Sequence, residues 1–140
     1  MSQRLSASAQ PSIAPARLRI AVIDDDPDAV MMLLTLLRSQ GYEAQGYGSA
    51  KVALLALRTF RAHVVISDVA MPSMSGWDVA REIRRNSGEQ PTLIGISGHY
   101  IKGADKVLAE LAGFDFYFTK PYDPRALMAL LAPMAGKPAP

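Results

Sequence analysis

The 140-residue chain has no cysteine. No disulfide framework, thiolate metal site or thiol nucleophile can be built from it. Imidazoles are nearly as scarce: His63 and His99 are too few for a multi-histidine zinc site. The longest apolar run, residues 29–37, is broken by Thr35 and is about half the length of a membrane span. The opening MSQRLSASAQPSIAPAR has no apolar segment of the kind a secretory signal requires. The expectation is a cytoplasmic protein with no membrane insertion. Basic clusters are also missing: Lys and Arg are scattered singly apart from Arg84-Arg85. The pI near 9.0 therefore does not predict direct contact with nucleic acid. Packing alone must make the fold, and the 49% hydrophobic and 20% charged composition supplies an ordinary core.

The charge that is present is unevenly placed. Four of the thirteen acids, Asp24, Asp25, Asp26 and Asp28, fall within five residues, an acidic knot on a mildly basic body. Residues 1–16, rich in Ser, Ala, Gln and Pro without a period, read as a flexible tail, and so do residues 133–140. Strand and helix patterns alternate between them. Residues 18–23 form a β-branched run ending in acids, and Pro27 suits the first turn of a helix that should stop at Gly41. A weak strand over 43–47 precedes a helix over 50–60 capped by Ser49. The continuous apolar run 63–67 reads as a buried central strand, followed by a helix over 77–85. A strand over 92–96, a helix over 102–111, a strand over 115–118 and a helix over 124–131 complete the chain. Five βα units predict an α/β fold, a doubly wound parallel five-stranded sheet in the flavodoxin-like order 2-1-3-4-5.

In such a sheet all strands run the same way, so their carboxyl ends share one edge, where ligands bind. Asp24 and Asp25 end the first strand, Asp68 the third and Ser97 the fourth, while Lys120 follows the fifth. These residues should converge. Three close carboxylates repel and call for a cation, and a hard oxygen site with open positions suits Mg²⁺. A carboxylate nucleophile, a divalent ion, a lysine and a hydroxyl together suit phosphoryl transfer to aspartate. Blander readings remain for each residue. The acids could cap the first helix, Ser97 could bond its own backbone, Tyr117 could be a plain strand aromatic and Lys120 a solvated lysine. His63 is expected to open a strand without chemistry.

The segments RIAVIDDDP (19–27), VISDVAMP (65–72) with Gly76, IGISG (94–98) and YFTKP (117–121) resemble the receiver domain of two-component response regulators. The likeness runs from about residue 17 to 132, with separations of 43 from Asp25 to Asp68, 29 on to Ser97 and 23 on to Lys120. The resemblance implies that Asp68 accepts a phosphoryl group from a histidine kinase or histidine phosphotransfer protein. It implies Mg²⁺ held by Asp24, Asp25, Asp68 and the backbone carbonyl of Ala70, with Lys120 binding the phosphoryl group before a cis peptide at Pro121. Ser97 and Tyr117 would be the switch pair, and Ala70 and His99 would tune dephosphorylation. Gly98, where alanine is more typical, should loosen its loop.

The first helix carries more apolar residues than one buried stripe needs, so Met31 or Met32 is a candidate for partner binding, with core packing as the alternative. No output segment is evident after Leu131, which suggests a single-domain regulator that signals through a downstream protein target. Two other readings stay open. One is a haloacid-dehalogenase-like phosphatase, since Asp24-x-Asp26 after an apolar strand mimics its nucleophile motif. The other is a receiver-like scaffold that is never phosphorylated.

Overall fold

The computed structural model describes residues 17–71, 74–86, 88–98 and 110–135. Strand β1 (Arg19–Ile23) leads to α1 (Pro27–Ser39), β2 (Glu43–Tyr47) and α2 (Ala50–Ala56). Then come β3 (Val64–Asp68), α3 (Gly76–Arg85), β4 (Thr92–Ser97), helical residues 110–112 (α4), β5 (Phe116–Thr119) and α5 (Pro124–Ala135). The five strands pair in parallel in the order β2-β1-β3-β4-β5, as the alternating pattern predicts.

Alternation along the strands divides the core between the two faces of the sheet. Ile20, Val22, Val64, Ile66, Ile94 and Ile96 face α1 and α5, meeting Leu33, Leu34, Leu37, Leu127 and Leu131. Ala21, Ile23, Val65 and Leu93 face the other way, onto Ala53, Val79, Ala80, Ile83 and Phe114. Both faces are covered, so the strands can be apolar throughout. Each helix entry has a local reason. Asp26 caps α1 by accepting from Asp28 N–H, with Pro27 behind it, and Ser49 caps α2 by accepting from Val52 N–H. Ser75 and Asp78 form a reciprocal capping box at α3.

Several boundaries differ from expectation. Helix α2 stops at Ala56 rather than residue 60, where the bonding tightens to three-residue turns: Arg58 N–H donates to Leu55 O and Thr59 N–H to Ala56 O. Helix α5 continues past 131 to Ala135. Pro133 is tolerated in its last turn, and residues 133–135 are helical, not a tail. The expected helix over 102–111 falls mostly outside the described residues. Among the described residues no helix is long and apolar enough to cross a membrane.

Candidate functional site

The carboxyl ends of β1, β3, β4 and β5 lie side by side, and the polar residues that terminate them meet there. Asp24 leaves β1 with its N–H donating to Tyr47 O, while its Oδ1 accepts from Asp26 N–H at 3.0 Å. Asp68 is the last residue of β3, and its Oδ1 accepts from Ala70 N–H at 3.1 Å. Ser97 closes β4, and its carbonyl accepts from Lys120 N–H at 2.6 Å across the β4–β5 ladder. That bond fixes where β5 ends. The following Lys120–Pro121 peptide is cis, as the resemblance led us to expect.

Carboxylate oxygens of Asp24, Asp25 and Asp68 lie within 4.8 Å of one another. Lys120 Nζ donates to Asp24 Oδ2 at 3.4 Å. Asp24, Asp68 and Ser97 are buried and Asp25 is exposed, so the group opens on one side. Burial raises the Asp68 carboxyl above the ordinary carboxylate range, helped by Asp24 and Asp25 and opposed by Ala70 N–H and Lys120. Burial pulls the Lys120 ammonium down, but Asp24 and Asp68 outweigh it and hold Lys120 above its ordinary value. Three carboxylates against one ammonium leave excess negative charge and hard oxygen donors, a set suited to a divalent cation.

The remaining predicted residues are placed unevenly. Ala70 is exposed beside Asp68, with no side chain beyond Cβ. Gly98 is exposed. His99 lies outside the described residues. Met31 and Met32 are 60% and 75% exposed, which overturns core packing for both; Leu33, Leu34 and Leu37 fill that role. Met32 also lines an apolar cavity of about 500 Å³ with Leu33, Leu36 and Tyr122, which reaches Asp68 and Lys120. Tyr117 is half-buried on β5 in an aromatic cluster.

Sequence reading missed that cluster. Trp77 on α3 stacks on Tyr117 (centroids 6.0 Å, 30°), and Phe114 meets both edge-on. The available signal was Gly95, an isolated glycine inside a strand, which marks a close approach. His63 does precede β3, but its ring has a structural role, because Nδ1 accepts from Arg19 N–H at 2.9 Å.

Comparison with known proteins identifies the family and the fold. The model of the response regulator receiver domain matches residues 20–132. The DNA-binding response regulator MtrA of Mycolicibacterium smegmatis is 36% identical over 113 residues, covering 81% of this chain and 48% of that protein. A 14.6 kDa protein of Leptolyngbya boryana, described as uncharacterized, is 35% identical over 117 residues, covering 83% and 88%. The chain spans about half the length of the MtrA relatives it matches. A response regulator receiver protein from Pseudomonas putida superposes with a TM-score of 0.76 at 30% identity, covering 83% and 96%. Chemotaxis protein CheY4 of Vibrio cholerae gives 0.77 at 25%, covering 83% and 97%. With its sheet order, its gathered aspartates and a family match from the first strand to the last helix, the chain belongs to the response regulator receiver domain family, a family of signalling domains.

Proposed function

We propose that Asp68 accepts a phosphoryl group from a phosphohistidine on a histidine kinase or histidine phosphotransfer protein. The observation that carries this is the meeting of Asp24, Asp25 and Asp68 oxygens within 4.8 Å, with the Lys120 ammonium beside them. An Asp68 oxygen attacks phosphorus as the phosphorus–nitrogen bond breaks and the imidazole leaves. Asp24, Asp25, Asp68 and the Ala70 carbonyl would hold Mg²⁺, whose charge offsets the carboxylates and the oxygens of the transferred group. Lys120 pairs with one phosphoryl oxygen, and the Ser97 hydroxyl donates to another. The charge then delivered at Asp68 biases the domain toward a second arrangement that a downstream protein reads. Met31 and Met32 face outward on α1 and belong to the surface that receives the histidine partner.

The test is to incubate the chain with Mg²⁺ and acetyl phosphate, measure intact mass and map the modified peptide. A phosphate-sized gain on Asp68, absent in Asp68→Asn, is the expected result. A label on Asp24 would replace this reading with the phosphatase one, and no gain under any condition would favour the scaffold.

A further inference from the structure

We propose that Trp77 is the positioning residue for Tyr117, and that this stacked pair carries the state of Asp68 into α3. The inference rests on phosphorylation of Asp68 as proposed above. It starts from a closed ring of contacts. Gly76 N–H, at the start of α3, donates to Val69 O at 2.9 Å, one residue beyond Asp68. Val69 N–H donates to Ile96 O at 2.9 Å, one residue before Ser97, and Lys120 N–H donates to Ser97 O at 2.6 Å. Three residues back along β5 from Lys120 stands Tyr117, and its ring returns the path to Trp77, the residue after Gly76.

Three main-chain hydrogen bonds join short stretches of chain in this ring, and only its closing link is a ring contact. The stack of Trp77 on Tyr117 is an offset aromatic contact, and attraction between ring faces is less directional than a hydrogen bond. It is the compliant joint of the ring. Two glycines fit the ring together. A Cβ on Gly76 would run into the Asp68 carbonyl oxygen and come within 2.7 Å of Val69 Cα, so α3 sits directly against the end of β3. Gly95, opposite Tyr117 in the β4–β5 register, leaves the space the rings occupy. A Cβ there would lie 3.2 Å from Phe114 Cδ1 and Cε1 and from Tyr117 Cδ2. Tyr117 is thus held by Phe114 and Trp77 over an empty place on β4, and a shift of β5 near Lys120 reaches α3 through the tryptophan.

Trp77 is the single tryptophan of the chain, so tryptophan emission reports on this one side chain. The experiment follows emission and intact mass together after Mg²⁺ and acetyl phosphate are added to the full chain. Gly95→Ala and Phe114→Leu are run in parallel, with amide spectra of residues 77–85 before and after labelling. We expect the emission to shift with the half-time of the mass gain and the α3 amides to shift with it. In both variants the emission shift should be largely lost while the mass gain persists. Should Gly95→Ala fail to fold, Phe114→Leu decides. Mass gain with steady emission and steady α3 amides would overturn the coupling and leave the phosphoacceptor reading intact. An emission shift kept in full by the folded variants would also overturn it, because the new charge would then be acting on Trp77 directly. No mass gain in the unaltered chain removes both proposals.

Discussion

Asp68 bears a charge in a place that disfavours it. Burial first, then the neighbouring carboxylates, raise its folded pKa above that of the unfolded chain. A raised carboxyl contributes stability below its unfolded pKa, near 3.8, and loses that contribution as pH rises through the folded value. At neutral pH the ionised group therefore costs stability, and Asp68→Asn should raise the melting temperature while abolishing the phosphate-sized mass gain. A lower melting temperature for this variant would contradict the assigned cause. Lys120 is the opposite case, since the nearby carboxylates keep it charged. Removing that charge in Lys120→Ala should slow labelling by about a hundredfold or more, the scale of losing one preorganised electrostatic partner. The identities of these residues were legible in the sequence because acids, a hydroxyl and a lysine punctuate apolar strands. Their separations were not, since spacing along a chain says nothing of the 4.8 Å between carboxylates.

At the scale of elements, α1 works on two sides. Leu37 is fully buried against the sheet, and Leu37→Ala should cost about 2–5 kcal/mol in denaturant unfolding. On the outer side, Met31→Lys with Met32→Lys should change stability by no more than about 0.5 kcal/mol. The double variant should slow transfer from a phosphohistidine partner but not labelling by acetyl phosphate. Equal rates from the partner would remove these methionines from the interface. The strands and the Ser49 cap were read closely from sequence, because Ser49 acts on a backbone N–H only three residues ahead. The ends of α2 and α5 were not, because their lengths depend on packing: Phe60 joins the core cluster beyond α2, and Met134 packs near Leu131.

For the whole molecule, the sheet has a pH-sensitive fastening at the edge opposite the site. Arg19 N–H donates to His63 Nδ1, so that nitrogen must be unprotonated, and burial, then Arg19, lowers the His63 pKa from 6.5. A lowered histidine contributes stability above its unfolded pKa and loses it as pH falls through the folded value. The melting temperature should accordingly fall as pH drops below about 6.5, and His63→Phe should flatten that dependence. A chain and variant with parallel pH profiles would rule this out. The sequence by itself determined the alternation of strand and helix, the parallel sheet and the carboxyl edge where polar residues would gather. These follow from periodicity, capping and crossover handedness, all local or general rules. Only the tertiary structure decided that Tyr117 meets Trp77 over Gly95, that Met31 and Met32 are left outside, and that His63 fastens β1. Each of these depends on which side chains become neighbours once distant segments pack, and no spacing along the chain encodes that.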